Sequence, residues 1–120
     1  MTSQTAPALN AMLDALIPAD DPERVPEPEE VYLAFSSWAE TTGRPLYPHQ
    51  DEALSEILEG RHVIAATPTG SGKSMIALAA HTVSLARGGH SYYTAPLKAL
   101  VSEKFFELVR LFGADNVGMV

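Results

Sequence analysis

Cysteine is absent from all 120 residues, which excludes disulfides, thiolate metal sites and thiol catalysis. Basic residues are scarce, eight Lys and Arg against fifteen Asp and Glu, for a formal net charge of −7. A broad cationic face that grips a polyanion by charge alone is therefore excluded. Long hydrophobic runs are missing as well. The most apolar stretch, Met75 to Ala86, is broken by His81, Thr82 and Ser84 and is too short to span a bilayer. The opening Met1-Thr2-Ser3-Gln4-Thr5 has no basic segment ahead of an apolar run, so no signal peptide is expected and a cytoplasmic location is. His49, His62, His81 and His90 are scattered, with no pair at metal-ligand spacing.

What is present divides unevenly along the chain. A 46% hydrophobic content is enough for a core. Residues 1–30 hold seven acids against Arg24 alone, and Pro18 to Pro28 contains four prolines. This reads as an acidic, proline-rich N-terminal arm, expected to be mobile, with mild helical spacing over Ala8 to Ile17. Residues 31–120 are nearly neutral and read as the structured part. Glu29 to Thr42 predicts a helix with Val31, Phe35 and Trp38 inward and Gly43 as its stop. Pro48 opens a second helix that buries Leu54, Ile57 and Leu58 and stops at Gly60. Beyond it the pattern alternates: strand 62–66, helix 74–87, strand 90–95, helix 98–112, and an incipient strand 117–120. The last helix carries Val101, Phe105, Leu108 and Phe112 on one face. Strands alternating with helices of this length predict an α/β fold, a parallel sheet with flanking helices, of which this chain carries the first strands.

The most informative residues are Thr67-Pro68-Thr69-Gly70-Ser71-Gly72-Lys73-Ser74. They lie between the apolar run His62 to Ala66 and the helical stretch from Met75, the setting in which Gly-Lys-Ser binds phosphate. Gly70 and Gly72 permit a tight turn, so successive N–H groups can converge on phosphate oxygens. The helix presents its positive dipole end to the same anion. Lys73 can reach the β- and γ-phosphates of ATP, and the Ser74 hydroxyl can ligate Mg²⁺. A plain strand–turn–helix connection is the structural alternative, and Thr67 stands where the strict pattern has Gly.

Three segments in order resemble the superfamily 2 DEAD/DEAH-box helicases, in the branch of exosome-associated RNA helicases and archaeal DNA-repair helicases, with wording similar to actinobacterial-type members. Tyr47-Pro48-His49-Gln50 resembles the Q motif, Thr67 to Ser74 motif I, and Ala95-Pro96-Leu97-Lys98-Ala99-Leu100 motif Ia. The resemblance covers about residues 44–120 and implies a RecA-like P-loop domain that binds ATP and Mg²⁺. It implies that Gln50 pairs with the adenine edge, as a carboxamide can by donating to N7 while accepting from N6. Tyr47 either packs on the base or belongs to the core. It also implies that Pro96, Leu97 and Lys98 hold the backbone of single-stranded nucleic acid without reading its sequence, with RNA favoured over DNA.

Hydrolysis in such enzymes needs further carboxylates, one for Mg²⁺ and one to orient water. After Ser74 the acids are Glu103, Glu107 and Asp115, and none ends an apolar strand. The chain therefore reads as the N-terminal, ATP-binding portion of an ATP-dependent helicase, catalytically incomplete by itself. Two other readings remain open: a small P-loop kinase or other NTPase, and a non-catalytic nucleotide-binding module.

Overall fold

The computed structural model describes residues 9–64, 70–95 and 98–119; of Gly70, Ser71 and Gly72 only the backbone course is described. Five helices form: α1 (Leu9–Leu16), α2 (Pro28–Thr41), α3 (Pro48–Leu58), α4 (Gly70–Ala86) and α5 (Lys98–Phe112), followed by a 3₁₀ turn at Ala114–Asn116. None of the helices among the described residues is long and apolar enough to cross a membrane.

Local signals account for where the helices begin and end. Proline occupies the first turn of both α2 and α3, where its missing N–H has no intrahelical acceptor to lose. At α2 the Glu30 carboxylate accepts the Glu27 N–H at 2.8 Å and the Glu27 side chain faces the Glu30 N–H, the reciprocal arrangement of a capping box. Glu30 also meets Arg24 at 2.6 Å, and Arg24 donates to the Leu16 carbonyl at 2.6 Å. One arginine thus ties the end of α1 to the start of α2. Gly60 ends α3 at φ +81°, a left-handed conformation that costs a side-chain-bearing residue more than glycine.

The core is built on α4, which packs against α1, α2 and α3; α1 in turn meets α2 and α5. Leu9, Phe35, Leu54, Thr82 and Phe112 are its largest fully buried side chains. The expected inward faces of α2 (Val31, Phe35, Trp38) and α3 (Leu54, Leu58, with Ile57 partly covered) are buried, as is most of one side of α4. Thr82 is accommodated there because its hydroxyl donates to the Leu78 carbonyl at 2.8 Å. On α5 the expected stripe is thinner. Phe112 alone is fully buried and Leu108 packs at the margin, while Phe106 is 66% exposed. Side-chain contacts join the layers: Tyr32 of α2 donates to Asp51 of α3 at 2.5 Å, and Arg87, just past α4, donates to the Leu58 carbonyl.

The sheet is the expectation that fails. Among the described residues there is no strand and no bridge; residues 61–64, 89–95 and 117–119 run as irregular chain. The parallel α/β architecture is corrected to an all-helical packing of the described residues. Ala65, Ala66 and Val120, the remainder of two expected strands, lie outside them. The reason is physical. A helix satisfies its backbone groups within its own segment, whereas a strand depends on a neighbour for every ladder bond. A parallel strand must moreover be covered on both faces, yet Ile64 is 97% and Tyr92 80% exposed.

Candidate nucleotide site

Of the expected phosphate-binding residues, Thr67, Pro68 and Thr69 lie outside the described residues. The rest opens α4. The helix starts at Gly70, so Gly70, Ser71 and Gly72 are first-turn backbone rather than a separate tight loop. The N–H groups of a first turn have no intrahelical acceptor and carry the positive end of the helix dipole, so the capacity to receive an anion is kept in a different geometry. Lys73 is exposed and Ser74 half-buried at this end.

Lys73 and Ser74 line one wall of a cleft of about 890 Å³. Tyr93 and Thr94 also line it, and α5 contributes Glu103, Lys104, Glu107 and Arg110. The Lys104 ammonium is central to it. It donates to the Ser74 hydroxyl at 3.3 Å, pairs with Glu107 at 2.8 Å and lies 5.7 Å from the centre of the Tyr93 ring. Three cationic side chains, Lys73, Lys104 and Arg110, therefore face the cleft against the carboxylates Glu103 and Glu107. This is a local positive excess in a chain that is acidic overall.

The α5 wall escaped sequence reasoning. Leu100, Glu103, Lys104, Glu107 and Arg110 recur at helical spacing, a pattern that ordinarily marks a solvated face. The alternation of both charge signs opposite a Gly-Lys-Ser segment was the available signal.

The other expected residues stand apart from this cleft. Gln50 lies on the first turn of α3 and is 7% exposed. Its side-chain oxygen accepts the Tyr47 N–H at 2.9 Å, while its own N–H donates to the Tyr47 carbonyl at 2.9 Å. It thereby caps α3. Tyr47 is not a core tyrosine: it is 66% exposed and stacks on His49 at 6.0 Å with the planes 10° apart. Lys98 is the exposed first residue of α5, and Pro96 and Leu97 lie outside the described residues. Among the described residues no three His, Cys, Asp or Glu side chains are grouped to hold a metal. A hard cation here would rest on the Ser74 hydroxyl and on phosphate oxygens, a donor set suited to magnesium.

Behind the cleft, His81 of α4 is 9% exposed. Its Nδ1 lies 2.7 Å from the Ser91 hydroxyl, and its buried Nε2 has no hydrogen-bond partner among the described residues. Burial, and then the charge of Lys104, hold the imidazole below its ordinary value of 6.5. Below 6.5 the unfolded chain therefore takes up a proton that the folded chain refuses. The contribution of His81 is complete above 6.5 and is lost as the pH falls through that value toward the folded pKa. The thermal midpoint is expected to drop when the pH is lowered from about 7 to about 5.5, a range in which ordinary carboxylates stay ionised. Scanning calorimetry of His81→Gln across this range should show a smaller drop.

Comparison with known proteins gives a consistent answer. The DEAD/DEAH box helicase family model matches residues 47–119. The chain is 46% identical over 68 residues to the chloroplastic DExH-box ATP-dependent RNA helicase DExH15 of Arabidopsis thaliana, covering 57% of this chain and 6% of that protein. It is 49% identical over 61 residues to the ATP-dependent DNA helicase Hel308 of Methanocella arvoryzae, covering 50% of this chain and 8% of that protein. It is 35% identical over 71 residues to the probable helicase HelY of Mycobacterium leprae, covering 59% and 8%. The chain thus spans less than a tenth of the length of each of these relatives. No solved structure matches it.

Proposed function

The chain belongs to the DEAD/DEAH box helicase family, and we propose that it is the ATP-binding part of an ATP-dependent helicase that acts on single-stranded nucleic acid. The observation that carries this reading is the pair Lys73 and Ser74 at the first turn of α4, both lining the cleft. First-turn N–H groups and the Lys73 ammonium bind the phosphates. Magnesium, when bound with the nucleotide, neutralises phosphate charge, and the Ser74 hydroxyl is the protein group that orients it. Gln50, on the first turn of α3, reads the adenine. Thr67, Pro68, Thr69, Gly70, Ser71 and Gly72 complete the phosphate cradle. Pro96, Leu97 and Lys98 hold the strand through its backbone, which makes binding sequence-tolerant.

The chain alone binds nucleotide without turning it over at an appreciable rate. Glu107 is tied to Lys104, and Asp115 sits in the 3₁₀ turn beyond α5. Glu103 lies within helix α5, so none of the three stands at the end of a strand, where the resemblance puts the carboxylates that hold magnesium and orient water. The named relatives include an RNA helicase and a DNA helicase; RNA is the substrate proposed, and a cytoplasmic location goes with it.

Titration with ATP and with GTP, each with magnesium, tests the reading. ATP is expected to bind more tightly, and Gln50→Ala is expected to lose the preference. The same substitution removes the cap of α3 and should cost about 1 kcal/mol of stability, a side effect that calorimetry measures separately. Failure of the wild-type chain to bind ATP would overturn the proposal. A fluorescent single-stranded DNA that binds more tightly than the matching RNA would reverse the substrate preference alone.

A further inference from the structure

The contact between Lys104 and Ser74 joins two elements that the nucleotide reading keeps separate. Ser74 belongs to the phosphate end of α4, and Lys104 lies one and a half turns into α5. The Lys104 side chain is only 16% exposed, so its ammonium is confined to the cleft rather than swept through solvent. Its partners are unequal: Glu107 is close at 2.8 Å, whereas Ser74 is distant at 3.3 Å. An ammonium with three donors on a flexible stem can release the longer bond while keeping the shorter one.

We propose, resting on the nucleotide reading above, that Lys104 is a positioning residue that holds the Ser74 hydroxyl in the nucleotide-free chain and yields that oxygen to the magnesium of Mg·ATP. Both cations approach one hydroxyl oxygen, and two positive charges at that separation repel. Occupation by one therefore weakens the hold of the other. Glu107 sets the balance, because its carboxylate draws the ammonium away from Ser74 and offsets its charge. The exchange also moves the Lys104 side chain whenever nucleotide arrives, so the face of α5 bearing Glu103, Glu107 and Arg110 senses the nucleotide state.

The alternative is an ordinary i,i+3 ion pair that supports α5 and has no influence on metal. Titrating magnesium at a fixed concentration of a fluorescent ATP analogue, with the whole chain, separates the two. Lys104→Met keeps the aliphatic stem and removes the competing cation. The magnesium concentration for half-maximal binding should fall by about three- to tenfold, the scale of one ordinary net hydrogen bond, since the Lys104–Ser74 contact is long at 3.3 Å. Glu107→Gln keeps the shape but frees Lys104 to hold Ser74 more firmly, so the midpoint should rise. The opposite signs keep the test informative if one variant fails to fold. A midpoint unmoved in both, or moved in the same direction, overturns the exchange while leaving ATP binding intact. Absence of ATP binding by the wild-type chain at any magnesium concentration overturns the nucleotide reading and the exchange with it.

Discussion

Lys73→Ala is expected to weaken Mg·ATP binding by about ten- to a hundredfold, the range for losing a hydrogen bond to a charged group. Lys73 is exposed on the first turn of α4, so the loss should not come from unfolding. The thermal midpoint should be nearly unchanged, as for other surface substitutions away from caps and buried pairs. Isothermal titration beside calorimetry checks both halves. Binding should not vanish, because the first-turn N–H groups of α4 remain and Arg110 lines the same cleft. The result also discriminates among the readings of this chain. A helicase ATP site predicts both the Lys73 effect and an adenine preference dependent on Gln50. A P-loop kinase or other NTPase predicts the Lys73 effect without a role for Gln50. A non-catalytic module that uses α4 only as a folding element predicts that Lys73→Ala changes nothing.

Helix α2 was legible in the sequence because its instructions are local. Val31, Phe35 and Trp38 repeat at helical spacing and Gly43 follows its end; the observed Pro28–Thr41 lies one residue from the expected Glu29 to Thr42 at each end, with Pro28, assigned to the arm, as its first residue. The same holds for α3, with Pro48 in front and Gly60 behind. The sheet was misread for the complementary reason. Val63, Ile64, Tyr92 and Tyr93 have strand-like side chains, but propensity cannot report whether a ladder partner exists, and among the described residues none does. Helix α5 lies between these cases. Its bounds were readable, its buried face only in part: Phe112 is covered while Phe106 stays 66% exposed, since the surface it meets depends on how α1 docks. Lys73 and Ser74 were singled out from their sequence setting alone. The place of Lys104 beside Ser74 could not be, because it requires α5 to lie against the start of α4.

Phe35→Ala is expected to be the most damaging single substitution for folding, at about 3–5 kcal/mol. Phe35 is completely buried in the core cluster, and its ring packs 5.5 Å from that of Trp38. Removing the ring deletes apolar burial and leaves a cavity that rigid helices fill only partly. Domains of this size have about 5–15 kcal/mol of total stability, so one such loss removes a large fraction of it. Trp38 is the only tryptophan and is 6% exposed, so its emission reports the outcome directly: a red shift and an earlier urea midpoint. Leu33→Ala is the matched control. It lies two residues away on the same helix but is 58% exposed, and its substitution should change stability by no more than about 0.5 kcal/mol. If the two variants were equally destabilised, α2 would not be buried along its Val31–Phe35–Trp38 face. The support of α3 by that helix, and with it the setting of Gln50, would then need another explanation.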